Sequence, residues 1–141
     1  MERCIIVDLD GTLSLFDKNK RNPYDRDFEN DEVNIPVLDV IKSYLAYKPI
    51  KLIFLSGRND KFKSQTLDFI VGKCKLGGFE LHMRKDKDFR KDVIIKEEMY
   101  NKFIKGKYQV DFVIDDRLQV CRLWYSLGLF VLNVNQGLIE F

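Results

Sequence analysis

Cys4-Ile5-Ile6-Val7-Asp8-Leu9-Asp10-Gly11-Thr12 decides how the rest of the chain is read. An apolar run of strand character delivers two carboxylates, two residues apart, into a glycine turn. With a strand's period of two, both are expected on the same side. Two anions held that close repel, and one would take up a proton unless a cation lay between them. A hard divalent ion with oxygen ligands, Mg2+ above all, resolves the repulsion.

Outward from this stretch, hydrophobic periodicity predicts alternating strands and helices. Strands are expected over 3–9, 51–55, 79–83, 110–114 and 129–134. Helices are expected over 35–47, with Pro36 in the first turn, and over 61–74, 92–104 and 118–127. The pattern is α/β: a doubly wound, Rossmann-like parallel sheet of about five strands, in one domain over residues 1–141 without repeats or linkers. Residues 14–34 break the rhythm, being long, polar and turn-rich around Asn22-Pro23. Loops of that length inside a compact domain are usually functional, and no other stretch leaves room for a large cap.

Three further clusters sit where such a sheet gathers its ligands, outside the carboxyl ends of its strands. Leu52-Ile53-Phe54-Leu55 enters Ser56-Gly57-Arg58, and Phe112-Val113-Ile114 enters Asp115-Asp116. The third helix carries Asp92 and Lys96 four apart, on one face. An Asp-x-Asp-Gly-Thr string, a Ser, a Lys and an acidic pair, in that order, resemble the four motifs of the haloacid dehalogenase-like phosphohydrolases. The resemblance implies that fold, with residues 14–34 as a short flap over the site and no large cap domain. It also implies phosphoryl transfer through an aspartyl-phosphate. Asp8 is then the nucleophile and Asp10 the general acid that protonates the leaving alcohol and later activates water. Mg2+, Lys96 and Ser56 offset the charge that develops on the transferring oxygens. Asp8, Asp10 (through its carbonyl), Asp115 and Asp116 are the expected metal residues; neighbours on an extended strand face opposite ways, so only one of the pair need touch the ion, and the resemblance implies that it is Asp116. Thr12 is placed with the substrate-binding residues, although its hydroxyl could equally tie down the loop.

Longer strings resemble one branch of that family, the 3′-phosphatase domains of phage polynucleotide kinase-phosphatases. They are Arg21-Asn22-Pro23-Tyr24-Asp25, Leu55-Ser56-Gly57-Arg58, Arg90-Lys91-Asp92 with Lys96-Glu97-Glu98, and Ile114-Asp115-Asp116-Arg117 with Gln119-Val120. This implies a Mg2+-dependent polynucleotide 3′-phosphatase of end healing, with Arg21, Arg58 and Asp92 among its substrate-binding residues. Nucleic-acid 3′ ends are the expected substrate, and a repair ligase or kinase the expected neighbour in the pathway. The segment between Thr12 and Arg21 is longer than in that branch, which leaves the reach of Arg21 open. No Gly-x-x-x-x-Gly-Lys-Ser/Thr phosphate loop occurs, so no kinase domain is expected.

Composition narrows the alternatives. A chain of 141 residues with 45% hydrophobic content can bury an adequate core. No apolar stretch is long enough for a signal sequence or a membrane span. Cys4, Cys74 and Cys121 are odd in number and widely spaced, so they read as buried thiols in a reducing, cytoplasmic setting, with a phage or viral source open. The single histidine, His82, excludes a His-pair metal site and reads as a strand residue. The net charge is only +2, but residues 61–91 carry nine Lys/Arg against four acids, and residues 8–39 nine acids against four bases. A basic half beside an acidic site suits a phosphodiester backbone. Two other readings stay open: a phosphatase of free nucleotides or small phosphomonoesters, and a non-enzymatic receiver-like phospho-acceptor. The second would place its acidic pair at the first strand and its acceptor aspartate on a middle strand, against the order found here.

Overall fold

The computed structural model of the chain describes residues 1–16 and 30–141. In chain order the elements are β1 (Glu2–Val7), β2 (Ser14–Leu15), β3 (Glu32–Val33), α1 (Ile35–Tyr47), β4 (Lys51–Asn59), α2 (Lys63–Leu67), β5 (Glu80–Arg84), α3 (Asp92–Met99), β6 (Tyr108–Asp115), α4 (Leu118–Ser126) and β7 (Val131–Asn133). Helices α2 and α3 each widen into a π-type turn, over Asp68–Lys73 and Tyr100–Ile104. One parallel sheet runs in the order β5-β4-β1-β6-β7. The doubly wound α/β architecture read from the periodicity is therefore the one observed.

β1 lies at the centre, paired on both edges, and this is why Cys4-Ile5-Ile6-Val7 reads as an unbroken apolar run: a strand covered on both faces has no wet side. Alternation then divides the core. Ile5, Val7, Leu52, Phe54 and Ile114 pack with Val37, Leu38 and Ile41 of α1 and with Phe69 and Ile70 after α2. Cys4, Ile6, Ile53, Leu55 and Val113 pack on the other face with Ile95 and Met99 of α3 and with Val120, Leu123 and Trp124 of α4. The three cysteines are buried thiols.

Of the boundaries that differ from the periodicity reading, two shape the site. β1 stops at Val7 because the Leu9 carbonyl accepts the N–H groups of Thr12, Leu13 and Ser14, turning the chain at once. β4 continues through Ser56-Gly57-Arg58 to Asn59, its register with β5 shifting between Ser56 and Asn59, so this string is an irregular strand end and not a turn beyond it. The long polar segment begins and ends as an antiparallel ribbon, with Ser14 opposite Val33 and Leu15 opposite Glu32. Its centre, including Arg21, lies outside the described residues. Among the described residues, no helix is long and apolar enough to cross a membrane.

Candidate active site

The carboxyl ends of β1, β4 and β6 and the first turns of α3 open into one cleft of about 610 Å³, walled by Asp8, Asp10, Ser56, Lys96, Asp115 and Asp116 among others. Alternation along β6 decides what its acidic pair does. Asp115 continues the Val113 face toward α3 and α4 and is almost wholly buried. Its Oδ2 accepts Lys96 Nζ at 3.1 Å and Trp124 Nε1 at 3.2 Å, and its Oδ1 accepts the N–H groups of Asp116 and Arg117. Asp116, facing the other way, meets Thr12 Oγ1 at 3.1 Å. Asp8 lies between them. Its Oδ1 accepts Lys96 Nζ at 2.6 Å, its Oδ2 accepts Thr12 Oγ1 at 3.0 Å, and its N–H is anchored on the Ile114 carbonyl.

Asp8 and Asp10 both line this cleft, as the strand period predicts, although the chain leaves the extended conformation after Val7 and gives them different partners. Asp10 is turned to Arg58, whose Nη2 reaches Asp10 Oδ1 at 2.5 Å and whose Nε reaches Oδ2 at 3.3 Å. The same guanidinium donates to Thr66 Oγ1 at 3.0 Å and Asp31 Oδ2 at 3.3 Å. Arg58 is only 2% exposed. Its fork is engaged by Asp10, Asp31 and Thr66, and Arg58 lines the cleft beside Asp10. Ser56 Oγ accepts the Arg58 N–H at 3.0 Å and keeps its own hydrogen for an acceptor in the cleft. Thr12, placed with the substrate contacts, is fully buried and holds Asp8 and Asp116 instead. Gly11, at φ +85°, lies against Asp116, and a Cβ there would stand 2.1 Å from Asp116 Oδ2.

One oxygen from each of Asp8, Asp115 and Asp116 lies within 4.8 Å of the others. Burial raises the Asp8 pKa well above the usual carboxylate range, and Asp115 and Asp116 add to this while Lys96 partly offsets it. Asp116 is raised too, by burial and then by Asp115. For Lys96 burial works the opposite way, but Asp115 and Asp8 outweigh it and hold the ammonium above its ordinary value. A hydroxyl has one hydrogen to give, so Thr12 cannot satisfy Asp8 and Asp116 together. Among the described residues, Lys96 and the one Thr12 hydrogen are thus the donors that Asp8 and Asp116 have between them. The set is short of positive charge and built of hard oxygens, which fits a divalent ion such as Mg2+. With Asp115 occupied by four donors, Asp8 and Asp116 are the side chains left to hold one.

Asp92 lines the cleft but bonds protein cations, Arg117 Nη1 at 2.8 Å and Arg84 Nη2. An anion so placed cannot itself receive a phosphate; it aligns the two arginines at the cleft wall. Gly57 lets it approach, since a Cβ there would stand 2.4 Å from Asp92 Oδ1. Asp31, Arg84 and Trp124 belong to the site's framework and were not singled out from the sequence. Arg84 lies within the basic stretch, and a buried indole N–H usually finds an acceptor, but nothing in the sequence says which.

The sequence profile of the polynucleotide kinase PNKP phosphatase domain matches residues 2–139. This chain belongs to that phosphatase-domain family. A protein of Autographa californica nuclear polyhedrosis virus described as a bifunctional polynucleotide kinase/RNA ligase is 31% identical over 140 residues, which cover 99% of this chain and 20% of the viral protein. A chain in the solved Pnkp1/Rnl/Hen1 RNA repair complex matches with 40% identity and a TM-score of 0.86, over 96% of this chain and 43% of its own length. A second structure of a Pnkp1/Rnl/Hen1 complex gives the same identity and TM-score over 97% and 47%. The chain therefore spans a fifth of that viral relative and less than half of these two structural relatives. As a member of this family it is a phosphatase domain of the haloacid dehalogenase-like fold.

Proposed function

We propose that this phosphatase domain removes the 3′-terminal phosphate from polynucleotide ends through an aspartyl-phosphate on Asp8. The observation that carries the reading is Asp8 itself: a buried carboxylate at the end of the central strand, on Lys96, opening into the cleft. Asp8 attacks phosphorus, its carboxylate oxygen forming the new P–O bond as the 3′-oxygen leaves. Asp10, with about 29% of its side chain exposed, protonates that oxygen and then takes a proton from the water that cleaves the acyl phosphate. Arg58 fixes its orientation. Lys96 and the Ser56 hydroxyl face the transferring oxygens and stabilise the charge that builds on them. A Mg2+ ion held by Asp8, Asp116 and the Asp10 carbonyl would keep Asp8 ionised and neutralise the phosphate. Arg21 remains an assigned substrate contact from the resemblance alone.

The kinase, RNA ligase and RNA repair associations of the relatives support nucleic-acid ends, RNA among them, as the substrate. They also support a ligase or kinase acting beside this domain, since a ligase requires the 3′-hydroxyl it would leave. The test is phosphate release from 3′- and 5′-phosphorylated oligonucleotides and a 3′-mononucleotide, in Mg2+ and in EDTA. The 3′-phosphorylated oligonucleotide should turn over fastest, only with metal, and not with Asp8→Asn. Equal rates at both ends, a mononucleotide outcompeting both, or turnover by Asp8→Asn would each overturn the proposal.

A further inference from the structure

A second groove, of about 340 Å³, runs beside the catalytic cleft and shares Arg84, Asp88 and Arg90 with it as a common wall. Its floor is apolar and flat: the His82 ring lies stacked on Phe103 at 3.7 Å between centroids, flanked by Met83 and Met99. Five bases and three acids line it. Arg90 is spent on Asp88 and Glu98, which leaves Lys63, Lys85 and Lys102 without an ion pair among the described residues.

The wall between cleft and groove is the loop 85–90, and it is held firmly. Arg84 donates to the Gly57 carbonyl at 2.7 Å, to the carbonyls of Asp88 at 3.0 Å and Arg90 at 2.5 Å, and to Asp92. Arg90 closes the loop through two bonds to Asp88 and two to Glu98. At the tip of this braced loop Phe89 is 91% exposed at the edge of the catalytic cleft. An apolar ring presented on an ordered loop loses nothing further on being covered, and a nucleobase covers such a ring face to face.

We propose that Phe89 and the groove behind it bind the nucleotides upstream of the reacting end of a single strand, Phe89 stacking a base and Lys63, Lys85 and Lys102 neutralising the phosphodiesters that follow. This rests on the polynucleotide reading above and adds to it where the strand runs. Charge and continuity favour this occupant: a chain of phosphates leaving the cleft meets the three lysines of the adjoining groove.

The experiment measures kcat/KM for a 3′-phosphorylated oligonucleotide and for p-nitrophenyl phosphate, across a salt series, with wild type, Phe89→Ala and a Lys63→Gln/Lys85→Gln/Lys102→Gln variant. Phe89→Ala should lower the oligonucleotide value about tenfold, the loss of one base stack, and leave p-nitrophenyl phosphate unchanged. The lysine variant should make the salt slope shallower by about 2, at roughly 0.7 per phosphate for a single strand. A wild type that prefers the oligonucleotide while both variants retain its rate and salt slope would overturn this inference alone, and leave Phe89 to a protein contact. Equal losses on both substrates would also overturn it. A wild type with no preference for the oligonucleotide would overturn the reading beneath it as well.

Discussion

Arg58→Lys separates a residue that holds Asp10 from one that grips phosphate. The guanidinium makes two bonds to Asp10, one to Asp31 and one to Thr66, and its side chain is wholly buried. A lysine ammonium puts its three donors on one compact nitrogen and cannot span acceptors that the fork reaches from three. Hydrogen bonds to charged groups contribute about 1.5–3 kcal/mol each. The Asp10 bonds are discounted, because that carboxylate is about 29% exposed and water takes up part of what is lost. Asp31, at 1% side-chain exposure, has no such relief. We therefore expect Arg58→Lys to cost about 2 kcal/mol, and Arg58→Ala roughly 3–5 kcal/mol as for a broken buried pair. For a domain of this size 2 kcal/mol lowers Tm by roughly 8 °C. Thermal unfolding and steady-state kinetics on a 3′-phosphorylated oligonucleotide, both with Mg2+, give the readout. A lower Tm together with a lower kcat and little change in KM is expected. A variant with wild-type Tm and a raised KM would refute the argument, because that is the signature of a lost phosphate contact.

Asp115→Asn and Asp116→Asn should part in the same way: the first lowers Tm, since Lys96, Trp124 and two N–H groups lose an anionic acceptor, while the second leaves Tm nearly intact and raises the Mg2+ concentration needed for half-maximal activity at least tenfold. Because the pKa values of Asp8 and Asp116 are raised in the folded protein, their ionisation is a cost of folding: they favour the folded state below the ordinary carboxylate pKa, and that contribution is lost as pH rises through the raised values. The metal-free protein should accordingly lose Tm between mildly acidic and neutral pH, with Mg2+ restoring it and binding more tightly as pH rises; a Tm rising with pH in EDTA would contradict this. Gly11→Ala should abolish metal-dependent turnover, because its Cβ would displace the Asp116 carboxylate, and calorimetric Mg2+ titration should show the site lost while the far-UV spectrum is kept.

The sequence by itself determined the layers of the fold and the membership of the site. Apolar runs of strand length alternating with helical periodicity can bury themselves in few ways, and a parallel strand covered on both faces leaves an unmistakable run such as Cys4-Ile5-Ile6-Val7. The four motifs could be gathered in advance because parallel strands bring their carboxyl ends to one edge. That Asp115 and Asp116 face opposite ways was legible too, from the period of β6, and the family resemblance chose Asp116 for the ion. What only the tertiary structure decided is which group each side chain spends itself on. Asp8 and Asp10 share the cleft but take different partners, Lys96 and Arg58, because the Leu9 carbonyl turns the chain two residues early. Arg58 and Thr12 serve carboxylates within the protein, and Asp92 serves arginines. Hydrogen-bond partners over separations as long as the 104 residues from Thr12 to Asp116 follow from packing, and no local pattern encodes them. The exposure of Phe89 is likewise a tertiary fact: the string Asp88-Phe89-Arg90 gives no sign that Arg84 and Glu98 would brace the loop and leave its ring outside.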